Sequence, residues 1–581
     1  MKELRRLLPY IFRYKKMLYA GLLFVTISNL CSTYAPRVVG EAIDLISSRG
    51  FSENQILYRL AILIALTAGS GLFMYLTRRT IIVASRLIEY DLRQDLLFAA
   101  SSRPMAYYSK TSPGDLMSLA TNDIPAAREF LGPAIMYGAN TLTTFAFALY
   151  FMLQINAEIT VVALAPLPLL ALTTYVVGKK VHAAFLGVQN QFAELTRTTE
   201  ESIGGVRVVR AYEAAAGERA KFKAESKLYY YRYLTLARIE SVAMPLFMAL
   251  VGVAQLLVLA YGGWKVINGA STIGEMTQYF IYINLLIWPV AAIGWVTNLV
   301  WRAAASAKRL GELLDSSDDS GELVAPVIKP NIEGAIEFRN VSFRFDGAVV
   351  DSLKNVNFSI KPGETLGVTG SIGSGKSTLA SLIPRLYEPA SGAIYIDGKP
   401  LDSIPKNAIR NAVSFVTQET FLFSDTIEGN IKFGAPEATK EEVVEISKKA
   451  QLYDEVLTFP QGFDTMLGER GVTLSGGQKQ RTSIARALLR NPKILILDDA
   501  FSAIDTKTES ALLSSLADEM KKRSTIIISH RISAIKNADN IIVLDSGSIV
   551  EQGSHDELMQ LGGKYSELFN RQQLEEEISG I

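Results

Sequence analysis

A chain of 581 residues exceeds one ordinary domain, and a formal net charge of +1 gives no electrostatic basis for binding nucleic acid or a strongly acidic partner. The single cysteine, Cys31, excludes an intrachain disulfide and a cysteine-built metal centre, and three histidines (His182, His530, His555) argue against a histidine-rich one. A hydrophobic fraction of 49% is high for a soluble protein, and the long apolar runs all stop near residue 300.

The chain opens with MKELRRLLPYIFRYKK, in which Lys2, Arg5, Arg6, Arg13, Lys15 and Lys16 alternate with Leu7, Leu8, Tyr10, Ile11 and Phe12. This pattern predicts an interfacial helix on the inner face of a membrane. Six segments then reach the ~20 apolar residues needed to cross ~30 Å of hydrocarbon. They lie near 17–40, 57–78, 130–155, 158–178, 241–263 and 276–300, without Lys or Arg away from their ends. The first is too long for a cleaved signal peptide and lacks a cleavage pattern. Lys and Arg concentrate in the N-terminal stretch and in loops 79–129 and 179–240, while the opposite loops hold little beyond Arg49 and Lys265. The bias places both termini in the cytoplasm of an integral membrane protein, and the lack of a targeting sequence makes a bacterial inner or plasma membrane the expected location.

Loops 79–129 and 179–240 are charged and helix-forming, so the flanking spans are expected to continue beyond the membrane as long hairpins. Pro113-Gly114 and Gly204-Gly205 punctuate these loops and mark places for short transverse helices that touch another domain. Asp115 to Asp123 and Glu201 to Tyr212 are the segments expected to transmit force. Within the spans the polar residues are mild (Asn29, Asn140, Thr141, Thr144, Gln255, Asn284), and aromatics such as Tyr150, Tyr279, Tyr282, Trp288 and Trp295 are frequent. A cavity so lined suits large apolar or amphiphilic compounds, although most of these residues read better as lipid-facing or helix-packing. Pro166, Pro168 and Pro289 predict local bends. Carboxylates are absent from the span interiors, so proton or sodium coupling has no evident carrier and the energy source should lie elsewhere.

After a polar linker at 310–330 the texture changes to short apolar strands (TLGVT, AVSFV, ILIL, TIIIS) alternating with helical and glycine-rich stretches. The alternation predicts a mainly parallel sheet flanked by helices. Gly370-Ser371-Ile372-Gly373-Ser374-Gly375-Lys376-Ser377 matches the phosphate-loop pattern between the strand TLGVT and the helical STLASLI. Its backbone N–H groups, with the following helix N-terminus at Ser377 and Thr378, would wrap phosphates. Lys376 should reach the β- and γ-phosphates, and Ser377 should ligate Mg²⁺.

The loop is followed in order by Gln418 in VTQET, LSGGQ (Leu474, Ser475, Gly476, Gly477, Gln478), ILILD ending at Asp498, Asp505 in SAID and His530 in IIISH. This ordered set resembles the nucleotide-binding domain of ABC transporters over about residues 331–571. The resemblance implies ATP and Mg²⁺ as ligands. Ser377, Gln418 and Asp498 would hold the metal, and His530 would contact the γ-phosphate and attacking water. Phe345 stands where the family stacks an aromatic ring on adenine, Asp505 marks the loop after the catalytic strand, and His555 reads as structural within the capping sequence S-H-D-E.

In this family the LSGGQ residues complete the site of a second domain, so one such domain per chain implies a dimer. Six spans before one nucleotide-binding domain resemble the half-transporter layout of ABC exporters, and LGERG resembles an exporter segment in which Glu469 would face the cytoplasmic loops. The expected fold class is an α-helical membrane domain followed by an α/β P-loop ATPase. Its expected boundaries are 1–309, linker 310–330, 331–571 and a tail at 572–581.

Asp499 departs from the pattern, because the residue after the metal-binding Asp498 is ordinarily a Glu that polarises water. One methylene fewer retracts the carboxylate by ~1 Å, a displacement that can cost roughly 10²-fold in rate, or about 2.7 kcal/mol. The sequence is thus similar to the Asp-bearing subunit of heterodimeric bacterial multidrug exporters. That resemblance implies a different partner chain with a catalytic Glu and an altered signature. Retention of His530 tempers it and leaves a homodimer open. A homodimeric lipid flippase and an ATP-gated channel or regulatory subunit are the alternative readings.

Overall fold

The computed structural model describes residues 3–48, 52–315, 332–468 and 474–579. Most of the linker at 310–330, and Glu469, lie outside them. The chain divides into two compact units, Met1–Ala100 with Gly114–Ser316, and Ser101–Pro113 with Ser317–Ile581.

The first unit is helical. Its long helices are α1 (Lys15–Ser47), α2 (Glu53–Thr77), α3 (Val83–Ser101), α4 (Ile135–Ile155), α5 (Ala157–Leu164), α6 (Leu167–Gly204), α7 (Ala215–Ile267) and α8 (Ile273–Leu314). A π-helical turn at Arg78–Ile82 joins α2 to α3. Among the described residues, five continuous runs are long and apolar enough to cross a membrane: α1, α2 through α3, α5 through α6, α7 and α8. The sixth expected span is a 21-residue helix, α4, preceded by a π-helical turn at Phe130–Ala134. Within α4, Asn140, Thr141, Thr143, Thr144 and Gln154 are polar without a formal charge.

At 1.5 Å per residue the 53 residues of α7 extend about 80 Å, far beyond a hydrocarbon layer. Length alone therefore carries α6 and α7 well outside the membrane, as the charged loop composition predicted. Gly205 begins a short helix, Val206–Ala211, between them. Pro166 and Pro168 separate α5 from α6 and stand at the α6 N-terminus, where a missing N–H has no consequence, whereas Pro289 lies inside α8.

Several polar side chains in these helices bond to a neighbouring helix, whereas Thr141 Oγ1 and Asp123 Oδ2 are buried without a partner. The Tyr279 hydroxyl donates to the carbonyls of Met152 (2.9 Å) and Asn156 (2.7 Å), Tyr282 to the Thr33 carbonyl (2.9 Å), and the Asn29 amide to the Thr143 hydroxyl (2.7 Å). Tyr279 and Tyr282 are fully buried, so they pack helices together, while Trp288 and Trp295 stand exposed on the protomer. The N-terminal stretch forms a short helix, Leu8–Arg13, whose Tyr10 donates to Asp95 (2.6 Å) and whose Arg13 pairs with Asp91 (2.5 Å). Arg6 pairs with Asp315 at 2.8 Å.

The second unit contains two sheets. The larger runs β10 (Ser548–Gly553), β9 (Asn540–Asp545), β3 (Thr365–Gly370), β8 (Ser524–Ile528), β7 (Ile494–Asp498), β6 (Val413–Val416), all parallel except β10. Every residue of β7 and β8 is buried, which explains the unbroken apolar runs ILIL and TIII: a parallel sheet is covered on both faces. The smaller sheet is antiparallel, ordered β2 (Leu353–Ile360), β1 (Ile336–Phe343), β4 (Ser391–Ile396), β5 (Lys399–Pro400). The alternation of the sequence predicted the parallel sheet and not this second one. A separate apolar core, including Leu422, Ile427, Ile431, Val443, Leu467 and Leu474, supports the helical region before the signature.

Candidate functional site

Ligands in open α/β sheets bind beyond the carboxyl ends of parallel strands. Four neighbouring strands deliver the expected residues there: β3 leads into the glycine-rich loop, β7 ends at Asp498, β8 precedes His530, and β6 precedes Gln418. Gly370 has φ of 142° and lies so close to the carbonyl of Leu544 that a Cβ would overlap it. Gly375, with φ of 100°, immediately precedes helix α9 (Lys376–Leu382) and faces the Ser352 carbonyl at 2.5 Å from where a Cβ would stand. Only glycine meets both requirements.

Lys376 is buried and its Nζ donates to the carbonyls of Gly370 (3.1 Å) and Ser371 (2.9 Å), curling the loop around the ammonium. Burial pulls the Lys376 ammonium below its ordinary range, against the opposing pull of Asp499 and Asp498. The same burial pushes Asp498 up to about 6, aided by Asp499 and opposed by a hydrogen bond from Ser377 and by Lys376. Asp498 Oδ1 and Ser374 Oγ are buried without a hydrogen-bond partner. A desolvated carboxylate oxygen lacking a partner, beside the Ser377 hydroxyl, suits a hard oxygen-seeking cation, so the residues fit Mg²⁺. The glycine loop, Lys376 and the α9 N-terminus suit a polyphosphate.

Asp499 is held at φ of 47°. Its N–H donates to the Ile528 carbonyl at 2.9 Å, anchoring it to β8. Its carboxylate is buried and engaged: Oδ1 accepts from the His530 N–H (3.3 Å) and Oδ2 from Gln418 Nε2 (3.5 Å). His530 Nε2 lies 3.8 Å from Oδ2. Burial and Lys376 hold the imidazole below its ordinary pKa, against the opposing pull of Asp499. Asp498, Asp499, Gln418, His530, Ser377 and Lys376 thus form one cluster.

Phe345 is partly exposed and meets Phe343 (4.8 Å) and Tyr387 (5.3 Å) edge to face. It opens onto a groove of about 1160 Å³ that is also lined by Tyr108, Lys110 and Arg385. The segment Ser101–Pro113, with its helical turn Met105–Tyr108, belongs to this unit, and Lys110 pairs with Asp346 at 3.1 Å. The expected force-transmitting residues Asp115 and Asp123 belong to the helical unit instead. Asp115 stands in the first turn of the helix Pro113–Ser118, and Asp123 is buried in an ion pair with Arg309. Glu201 pairs with Arg197 at 2.9 Å near the α6 C-terminus, and Tyr212 ends the short helix after it.

The signature stands on another element. Ser475 caps helix α10 (Gly476–Leu489): its hydroxyl accepts from the Gln478 N–H (3.2 Å) and Gln478 Oε1 accepts from the Ser475 N–H (2.9 Å). Gly477 approaches the Ala503 carbonyl to 3.0 Å from where a Cβ would stand, seating the helix against the loop after β7. Asp505 caps helix α11 (Thr506–Met520), accepting from the Thr508 N–H at 2.9 Å. His555 follows the capping residue Ser554 and its Nδ1 lies 2.7 Å from the Tyr565 hydroxyl, in keeping with a structural histidine.

Sequence reading missed three residues around this cluster. Gln480 donates to the Asp499 carbonyl (3.2 Å) and to Ser502 (2.9 Å) while accepting from the Ala503 N–H (2.9 Å). Arg531 donates to the Ile504 carbonyl (2.9 Å) and to Glu509 (2.5 Å). Gln572 reaches the backbone at His530. Gln480 lies two residues past the signature and Arg531 directly after the histidine, but neither position alone announces a partner far away in sequence.

A phosphate loop, a metal-binding carboxylate and a glycine-rich signature on one α/β unit, attached to long apolar helices, define an ATP-hydrolysing membrane protein. Residues 18–290 match the model of the ABC transporter transmembrane region and residues 353–502 that of the ABC transporter. The chain belongs to the ABC transporter family. It is 36% identical, over 98% of its length and 96% of the relative's, to the multidrug resistance-like ATP-binding protein MdlA of Escherichia coli (strain K12). It is 34% identical, over 84% of its length and 81% of the relative's, to an ATP-dependent lipid A-core flippase of Syntrophus aciditrophicus (strain SB). The solved structure of a bacterial Atm1-family ABC exporter with ATP bound shares 26% identity and a TM-score of 0.79, covering 96% of this chain and 99% of that one. The protein is therefore a membrane-embedded ABC transport ATPase of the exporter type, with its membrane domain fused to its ATPase domain.

Proposed function

We propose that the protein exports hydrophobic or amphiphilic compounds at the expense of ATP, as one half of a heterodimer in which its own ATP site is slow. The observation that carries the reading is Asp499. Its carboxylate accepts from the His530 N–H and Gln418 Nε2 and is one methylene shorter than a glutamate's. The phosphate loop is intact, so ATP should bind here and be cleaved slowly. Ser475, Gly476 and Gly477 at the α10 N-terminus would then serve hydrolysis at the partner's phosphate loop. Ser377, Gln418 and Asp498 would hold Mg²⁺, which when bound neutralises phosphate charge.

In this reading six helices span a bacterial inner membrane, α4 being the sixth, and both termini are cytoplasmic. ATP binding joins two nucleotide-binding domains and turns the cavity outward, and hydrolysis resets it. The segment at Met105–Tyr108, tied to the Phe345 loop through Lys110 and Asp346, is one path by which nucleotide occupancy reaches the helices.

A homodimeric flippase is the second reading. It is favoured by the retained His530, whose Nε2 lies 3.8 Å from Asp499 and leaves a base within reach of water. The test is to tag the chain in its native membrane, extract it gently and weigh the intact complex. A different half-transporter at one-to-one stoichiometry supports the slow-site reading. Two copies of this chain with ATPase activity would make Asp499 the working base. Phospholipid translocation in liposomes separates a flippase from a drug exporter, and ATP-dependent conductance without uphill transport identifies a channel.

A further inference from the structure

Helix α12 (Lys564–Ser579) runs through Gln572, the first residue of the expected C-terminal tail, and that side chain meets the segment carrying His530. Gln572 Oε1 accepts from the Ile532 N–H at 2.8 Å, and its Nε2 donates to the His530 carbonyl. The two backbone groups flank Arg531. An N–H demands an acceptor and a carbonyl demands a donor, so a single amide orientation satisfies both. Neither a hydrocarbon nor a carboxylate side chain can do the same.

The grip matters because of what else holds this segment. Ile532 opens the short helix Ile532–Ile535, whose N-cap residue Arg531 makes no side-chain cap, and Gln572 supplies the missing acceptor for the first helical N–H. The Arg531 guanidinium is committed elsewhere, to the carbonyls of Ile504 (2.9 Å) and Ser502 (3.3 Å) and to Glu509. His530 itself is bound by its N–H to Asp499 on one side and by its carbonyl to Gln572 on the other. The His530 main chain, from which the imidazole projects, is thus held by contacts on both sides, one of them from helix α12.

We infer that Gln572 is a positioning residue for ATP hydrolysis, holding the His530 main chain so that the imidazole meets the γ-phosphate and the attacking water. The inference rests on the proposed role of His530. Misplacement of a catalytic group on the ångström scale lowers the rate of chemistry more than it alters nucleotide binding. Loss of the grip should therefore appear in kcat with KM little changed.

The test is steady-state ATP hydrolysis by the full transporter in proteoliposomes. Q572M, Q572E and H530A are each made with and without D499E, so that this chain's own site contributes measurably. The expected result is that Q572M lowers kcat about tenfold with KM for ATP within about twofold. Q572E, of the same size as glutamine, should be lower still, because its carboxylate faces the His530 carbonyl without a donor. A residue that merely packs would tolerate Glu as well as Gln, so wild-type kcat in Q572E overturns the assignment. If Q572M fails to fold, the isosteric Q572E carries the test by itself. Unchanged kcat in H530A would remove the role of His530 and the Gln572 assignment with it. Loss of activity in H530A beside wild-type activity in Q572E would remove the Gln572 assignment alone.

Discussion

The two units use polar side chains for opposite ends. In the helical unit Tyr279, Tyr282, Ser28 and Asn29 each spend hydrogen bonds on a neighbouring helix's backbone or hydroxyl, so polarity serves to hold spans together. In the ATPase unit Asp498 Oδ1 and Ser374 Oγ are buried without partners, and Lys376 bonds only to the loop that a phosphate would fill. Thr141 Oγ1 and Asp123 Oδ2 are unpartnered in the helical unit too, so it is the position of Asp498 Oδ1 and Ser374 Oγ beside the glycine-rich loop that marks where a ligand belongs. The difference explains why the nucleotide can be read from this chain and the transported compound cannot.

Substitutions can break that contrast, and the largest effects should come from the unsatisfied side. Lys376→Ala removes a charged donor to phosphate; such bonds contribute about 1.5–3 kcal/mol, so ATP affinity at this site should fall by roughly ten- to a hundredfold. Nucleotide titration of the purified transporter measures it, and unchanged affinity would show that Lys376 serves only the loop.

Asp499→Glu should raise hydrolysis at this chain's own site by up to the ~10²-fold attributed to the missing methylene, and total turnover with it. In the same assay Ser475→Ala should reduce hydrolysis more than Asp499→Ala does. Equal or reversed effects would defeat the argument that the signature works for the partner.

Smaller effects are expected in the helical unit, and they should appear in stability with ATP affinity intact. Gly274 donates its N–H to Asp44 at 2.8 Å, and a Cβ there would overlap the Gly40 carbonyl, a backbone atom that cannot swing away. Gly274→Ala should cost roughly 1–3 kcal/mol and lower the unfolding temperature in lipid or detergent. Tyr279→Phe leaves the buried acceptors at Met152 and Asn156 with one donor fewer and should cost about 1 kcal/mol. A loss of ATP affinity in either variant would mean that the division between packing and ligand polarity is not as drawn.

What the sequence by itself determined is chemistry that a short stretch of chain completes alone. Phosphate is wrapped by consecutive backbone N–H groups, so Gly370 to Ser377 is legible as a loop. The buried parallel strands β7 and β8 declare themselves because both faces must be apolar, and the membrane helices because ~20 apolar residues in a row have few other uses. The helical extensions and the cap at Ser554 follow from equally local rules.

What only the tertiary structure decided are the meetings between distant segments. The antiparallel sheet of β1, β2, β4 and β5 depends on pairing across intervening chain. The attachment of Ser101–Pro113 to the ATPase unit, and the hold of Gln480 on Asp499 and of Gln572 on His530, join residues between 19 and more than 200 positions apart. A glutamine's amide has the same composition whether it faces water or grips a catalytic loop. Which of these it does is set by the fold that brings a backbone donor and acceptor to both of its atoms.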